Sequence, residues 1–202
     1  LTGWGNFKQW LFVGIGVYAV FSWASAIRAR DLPTFRLIWG SPAFICTTLG
    51  YGMVSFTAYA ASYWGAPYAE RTFGVAKSAL GWTIGAPGAL AGFLGVILGG
   101  RLADALQERF PTGRIWVVML GLLSPVLPLI GAYRADTFTT FVVLAFVNVI
   151  CSSTALGASA AASQSLVLPR MRGTATATFF LATTLVGLAL GPFMAGYVSS
   201  LR

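Results

Sequence analysis

The side chains best suited to bind a ligand in this 202-residue chain are uncharged hydroxyl and amide groups inside long apolar stretches. Spacings of three, four and seven residues place them on two helix faces: Tyr51, Ser55, Tyr59 and Ser62 on the first, and Asn148, Ser152 and Ser159 on the second. Any single hydroxyl of this kind is best explained as a hydrogen bond between neighbouring helices. Two polar faces together favour the wall of a cavity.

Few side chains in this sequence could support catalysis. Histidine is absent, and Cys46 and Cys151 lie in separate apolar runs, neither with a partner at metal-ligand spacing. The acidic residues lie at the ends of these runs or between them: Asp31, Glu70, Asp104, Glu108 and Asp136. Serine–histidine and metal–histidine chemistry both need a residue type that is missing. We therefore expect no enzyme, no metal site and no cofactor.

The composition places these polar residues in a membrane. Hydrophobic residues make up 57% of the chain and charged residues 9%, against roughly 25% charged in soluble domains. Because uncharged runs of about 20 residues can cross a bilayer, we predict six transmembrane helices: 9–28, 42–65, 78–101, 115–133, 138–166 and 174–199. Continuous apolar runs favour helices over barrel strands. The expected fold class is an all-α polytopic helical bundle.

The charge distribution predicts the orientation of the bundle. A net charge of +8 could suggest nucleic acid, but the cations are scattered between apolar runs, so no nucleic-acid partner is expected. The loops after the first, third and fifth helices hold eight arginines: Arg28, Arg30, Arg36, Arg101, Arg109, Arg114, Arg170 and Arg172. The other side holds five cations: Lys8, Arg71, Lys77, Arg134 and Arg202. The arginine-rich loops are therefore predicted to be cytoplasmic. The chain then starts outside, which fits an odd number of preceding helices.

Glycines form a stripe along the third predicted helix, at alternating spacings of four and three: Gly81, Gly85, Gly88, Gly92, Gly95 and Gly99. The sixth helix carries Gly187 and Gly191 before Pro192. In a bilayer a glycine face lets another backbone approach closely. We expect tight helix–helix seams here, and both a static seam and a sliding interface remain open.

The charged island after the third helix resembles a loop motif of the major facilitator superfamily, G-x-L-x-D-x-x-x-R. In GRLADALQER, Gly100, Asp104 and Arg109 stand at the motif positions, whereas Gln107 and Glu108 depart from the family pattern. We expect Gly100 to allow a close helix approach, Arg101 to pair with Asp104, and Arg109 to meet a neighbouring helix end. Their expected role is to bias which face is closed, with simple charge anchoring as the alternative.

A second stretch resembles the spinster branch of the same superfamily. The run PRMRG, with Arg170 and Arg172, precedes a helix of small and aromatic residues that ends in Gly-Pro. It looks like the junction of the family's tenth and eleventh helices. We therefore group Arg170 and Arg172 with the loop-motif residues that are expected to bias which face is closed. The resemblance implies helices six to eleven of twelve, with residues 1–36 as helix six and the start of a linker, and 37–202 as a C-terminal half-bundle lacking its last helix.

This resemblance also implies a function. The two polar-faced helices would be the family's cavity-lining seventh and tenth, and the glycine-rich pair its eighth and eleventh, packed against the other half. The implied protein is a secondary transporter of the bacterial inner membrane, working by alternating access on a lipid-like amphiphile such as a lysophospholipid or sphingoid lipid. Membrane lipids and the N-terminal half are the other expected partners. A drug or sugar-type facilitator and a non-transporting scaffold or receptor subunit remain alternatives.

Overall fold

A computed structural model describes residues 3–200, and the side chains of residues 7 and 10–199. Lys8 and Arg202, two of the cations assigned to the outer side, lie outside the described side chains. Six helices in the described part are long and apolar enough to cross a membrane, which confirms the predicted count. They are α1 (Gly3–Arg30), α3 (Pro42–Phe73), α4 (Lys77–Arg109), α5 (Gly113–Tyr133), α6 (Phe138–Ser165) and α7 (Pro169–Ser199), and a short α2 (Leu32–Trp39) joins the first two.

Helix α3 extends eight residues beyond its predicted end at 65. It begins where the Ser41 hydroxyl accepts a hydrogen bond from the Phe44 amide, at 3.5 Å. It continues through Pro67 and ends at Gly74, whose φ of 66° is left-handed and whose amide donates to the Glu70 carbonyl. Such a glycine satisfies the last carbonyls of a helix. The polar last turns of α3 therefore lie beyond the apolar run that defined the prediction.

Proline interrupts three of the long helices. Helix α4 contains a π-helical stretch, Gly81–Gly85, and α7 contains another, Leu185–Leu190. In each helix a proline, Pro87 or Pro192, follows two residues after the stretch ends. Proline has no amide hydrogen to donate to the carbonyl four residues earlier, and a wider π-helical turn accommodates the missing hydrogen bond. Helix α5 is broken near Pro125 into two shorter pieces.

Two close seams hold the bundle together. In the first, α4 contacts α6: a Cβ added to Gly95 would lie 2.5 Å from the Ile150 carbonyl oxygen, and one added to Gly99 would overlap the Thr154 backbone. In the second, α7 contacts α3: a Cβ on Gly191 would lie 2.5 Å from the Phe56 carbonyl oxygen. These closest contacts lie within this chain. The expectation that the two glycine-rich helices also pack against the other half of a transporter stays a prediction.

The glycine stripe of α4 divides at its middle. A Cβ on Gly81, Gly85 or Gly88 would meet nothing within 4 Å, and one on Gly92 would lie 3.9 Å from the Ser153 hydroxyl. The seam predicted along all six glycines is close-packed only at Gly95 and Gly99. Helices α4 and α6 thus diverge toward the end of the bundle that we predict to face outward.

The predicted cytoplasmic end contains a buried cluster that includes α2. Ile38 of α2, Phe44 of α3, and Met171 and Phe179 of α7 pack together, each less than 3% exposed. Thr34 of α2 is also buried. The boundary predicted between residues 36 and 37 falls inside α2, so this helix spans the expected division, which stays a prediction.

Adding one methyl group should separate close-packed from open glycines. We expect Gly99→Ala to destabilise the purified protein by about 1–3 kcal/mol, because the added Cβ overlaps the α6 backbone. Gly100→Ala is the matched control, since a Cβ there meets nothing within 4 Å and alanine favours helix. Denaturant unfolding in detergent micelles measures both. Equal stabilities for the two variants would contradict the seam.

Candidate functional site

A cavity of about 750 Å³ lies between α3, α4, α5 and α6, in the predicted outer half of the bundle. Its size is within the range typical of small-molecule sites. Alanine and glycine supply much of the wall, with larger apolar side chains from three helices, among them Ile84, Leu129 and Phe146. The cavity opens where α4 diverges from α6, and Gly81, Gly85 and Gly88 line it on the α4 side.

The two predicted polar faces meet this cavity in part. Four of their seven residues line it: Tyr59, Ser62, Asn148 and Ser152. These four side chains provide a few uncharged hydrogen-bonding groups in a mostly apolar wall.

The other three predicted residues lie elsewhere, where helices pack closely. Tyr51 stacks on Phe179 of α7, with ring centroids 5.4 Å apart. Ser55 is buried against α7, where a Cβ added to Gly187 would lie 2.6 Å from the Ser55 Cβ. Ser159 is fully buried and donates to the Ala155 carbonyl within its own helix at 2.5 Å. These three side chains support packing, because the helices approach one another in the inner half.

Asn148 is the polar group in the wall with the most free bonding capacity. It is 7% exposed, lines the cavity and makes no hydrogen bond within the described part of the chain. Its amide therefore offers two donors and an acceptor to a ligand or water. Ser152, one turn away, donates to the Val149 carbonyl at 3.1 Å and keeps its acceptor capacity. A polar ligand group could be bound between these two side chains.

An ion pair lies at the mouth of the cavity. Lys77 Nζ at the start of α4 is 3.6 Å from Glu70 Oε1 near the end of α3, and both residues line the cavity. Both side chains are well exposed, so the pair contributes little to stability. Neither residue was predicted to belong to a site, because both lie beyond the predicted ends of the transmembrane helices. Their opposite charges on either side of a short turn were the available signal.

Aromatic side chains fix the same end of the bundle. The Tyr68 hydroxyl of α3 donates to the Tyr133 carbonyl of α5 at 2.9 Å, and the two rings are 4.8 Å apart. Phe141 of α6 contacts both tyrosine rings, and Phe73 packs against Tyr68 and Phe141. These contacts tie α3, α5 and α6 together next to the cavity, so its outer wall is well supported.

The charged motif on the predicted cytoplasmic side pairs differently from expectation. Asp104 accepts from Arg114 at 3.5 Å, and no described ion pair joins Asp104 to Arg101, which corrects the predicted pairing. Gln107 closes the α4–α5 turn, since its side chain donates to the Pro111 carbonyl at 3.1 Å and accepts from the Arg114 amide at 3.4 Å. The turn brings Arg114 back over α4, which helical spacing alone did not predict.

The remaining motif residues are less constrained. Arg101 and Arg109 are exposed, and neither forms an ion pair among the described side chains. A Cβ on Gly100 would meet open space, although the Gly100 backbone approaches Gly157 of α6, whose added Cβ would lie 3.7 Å from the Gly100 Cα. Arg170 and Arg172 are exposed on either side of the buried Met171. A gating role for these residues stays a prediction.

Comparison with known proteins gives relatives along most of the chain, although no family model matches it. It is 30% identical over 185 residues to an MFS-type efflux pump of Mycolicibacterium smegmatis, an alignment covering 92% of this chain and 43% of that protein. It is 25% identical over 193 residues to protein spinster homolog 1 of Xenopus laevis, covering 85% of this chain and 37% of that protein.

Solved structures agree with these relatives. A bacterial homolog to the human lysosomal transporter spinster, in an inward-facing and unoccupied conformation, superposes with a TM-score of 0.78 at 31% identity, over 87% of this chain and 37% of that one. The occupied, inward-facing conformation gives a TM-score of 0.72 at 30% identity, over 80% of this chain and 35% of that one.

The helical bundle and these likenesses define a multi-pass membrane protein of the major facilitator superfamily. Within that superfamily the chain belongs to the spinster-like branch, which confirms the resemblance seen in the sequence. The chain spans less than half the length of the relatives it matches. Its bacterial relatives agree with the predicted inner-membrane location.

A double-mutant cycle should distinguish the two possible partners of Asp104. We expect a coupling free energy of about 0.2–1 kcal/mol between Asp104→Asn and Arg114→Gln, as is typical of an exposed ion pair. The cycle with Arg101→Gln should show none. Unfolding of the purified protein in low salt measures both cycles. Larger coupling to Arg101 than to Arg114 would overturn this assignment.

Proposed function

We propose that this chain is the C-terminal part of a secondary transporter that works by alternating access between two helical halves. One observation carries the proposal: the Asn148 amide of the membrane-spanning helix α6 lines a cavity of about 750 Å³ and has no hydrogen-bond partner in the described part of the chain. An unpaired amide at membrane depth costs free energy, so its presence indicates use by a ligand or by water. The names of the relatives, an efflux pump and a transporter, support this interpretation.

The proposed substrate is a lipid-like amphiphile, such as a lysophospholipid or a sphingoid lipid. The wall is mostly alanine, glycine and larger apolar side chains, which suit an apolar chain. Polar groups are few and uncharged at depth, at Asn148 and Ser152, and a charged pair stands at the mouth, at Glu70 and Lys77. A molecule with one long apolar part and one small polar part matches this distribution.

The alternatives fit the cavity less well. A sugar would need a hydrogen-bonding partner for each of several hydroxyls, because unpaired polar groups are costly in an apolar site. The wall offers too few such partners. A non-transporting scaffold would use the glycine seams but would leave the Asn148 amide without a purpose. An apolar drug is the second candidate, favoured by the name of the efflux-pump relative.

The polar wall can be tested by removing its free amide from the whole protein. We expect Asn148→Leu to lower the rate of lysophospholipid movement about fivefold, the loss of one hydrogen bond of about 1 kcal/mol. The assay follows a fluorescent lysophosphatidylethanolamine in proteoliposomes. Val147→Leu, at the exposed neighbouring residue that does not line the cavity, is the matched control and should transport at the parental rate.

Two results would count against the proposal, each in a different way. Parental rates in Asn148→Leu would remove Asn148 from the path while leaving transport intact. If folded parental protein moves neither the lysophospholipid nor a lipophilic cationic dye, the transporter assignment itself fails. Movement of the dye alone would support the drug alternative.

A further inference from the structure

Five arginines converge where α1, α2 and α7 meet at the predicted cytoplasmic end. We call this group the arginine patch: Arg28, Arg30, Arg36, Arg170 and Arg172, all of which are exposed. The segments that carry them are neighbours, because Ile38 of α2 and Met171 of α7 pack in one buried cluster. Arg170 and Arg172 flank Met171, so the α7 arginines stand beside α2.

The patch keeps a large positive surplus. Asp31 is the one carboxylate in the segments that carry these arginines. It caps α2, since its Oδ1 accepts from the Thr34 amide at 3.2 Å and its Oδ2 from the Thr34 hydroxyl at 2.5 Å. These hydrogen bonds, aided by the charge of Arg170, lower the Asp31 pKa, so the carboxylate stays ionised and offsets one charge of five. No described ion pair neutralises the arginines themselves.

Apolar side chains are exposed within the same surface. Leu32 at the start of α2 is 44% exposed, and Leu168, just before α7, is 52% exposed. Helix α2 buries Thr34 and Ile38 against the bundle and leaves Leu32 and Arg36 outside. The Arg28 guanidinium lies 5.8 Å from the centre of the Phe35 ring, which holds it against α2. Cations beside exposed leucines are typical of a surface at the level of lipid headgroups.

We propose that the arginine patch binds the phosphate of an anionic phospholipid, such as phosphatidylglycerol, in the cytoplasmic leaflet. Arginine binds phosphate oxygens in a two-pronged geometry, and basic side chains at this level attract anionic lipids. The acyl chains would lie along Leu32 and Leu168. The motif loop after α4 differs, because two carboxylates there, Glu108 and the Asp104 that pairs with Arg114, offset two of its three arginines. Charge complementarity therefore favours a lipid at the α1–α2–α7 surface.

The test uses the purified whole protein and compares two lipids, and arginines at the two ends of the bundle. Native mass spectrometry in detergent would count bound phosphatidylglycerol and phosphatidylcholine as both are titrated. We expect Arg36→Gln/Arg170→Gln to weaken phosphatidylglycerol binding about tenfold. Phosphatidylcholine binding should stay unchanged, which also shows that the variant is folded. Arg71→Gln/Arg134→Gln, two exposed arginines at the opposite end, is the matched control and should bind as the parent does.

Other results would overturn the proposal. Unchanged phosphatidylglycerol binding in the Arg36/Arg170 variant, or the same loss in the control, would exclude a specific site in the patch. Displacement of the lipid by millimolar inorganic phosphate would indicate a free-anion site instead. These outcomes do not depend on whether the protein transports anything, because the readout is lipid binding alone.

Discussion

The close backbone contact between α4 and α6 at Gly95 and Gly99 is the constraint on which the rest of the bundle depends. In a bilayer no hydrophobic effect drives helices together, so close packing of backbones contributes more to helix association. A matching contact joins α7 to α3 at Gly187 and Gly191, with Trp64 Nε1 donating to the Pro192 carbonyl at 3.0 Å. Each glycine helix also carries a π-helical stretch before a proline, which overlaps the seam in α7 but lies in the open half of α4.

The cavity follows from where the first seam ends. On the outer side of Gly92, the glycines Gly81, Gly85 and Gly88 no longer contact α6, and the space between the two helices becomes the cavity. The same residue type thus serves two purposes along one helix: close approach in the inner half and open wall in the outer half. The aromatic contacts of Tyr68 and Phe141 support the opposite wall. A site built this way is mostly apolar and polar at few points.

Sequence reasoning predicted the number of transmembrane helices, because these depend on local composition, and it grouped polar residues into faces by helical period. It could not predict which part of a face meets a cavity, since that depends on where a neighbouring helix diverges. Tyr51, Ser55 and Ser159 have the right phase but lie where helices touch. Likewise, spacing within α4 suggested Arg101 as the partner of Asp104, whereas the turn through Pro111 places Arg114 within ion-pair distance of Asp104. Such contacts depend on three-dimensional placement that no periodicity encodes.

The most direct test of this account measures whether a ligand occupies the cavity. In the whole protein with its native cysteines, Cys46 and Cys151 among them, replaced by serine, Ser62→Cys would be labelled with a water-soluble maleimide, and Ser159→Cys would serve as the buried comparison. We expect Ser62→Cys to react readily and to be protected by lysophosphatidylethanolamine, whereas Ser159→Cys should not react. Equal labelling at both positions, unaffected by the lysophospholipid, would contradict this expectation.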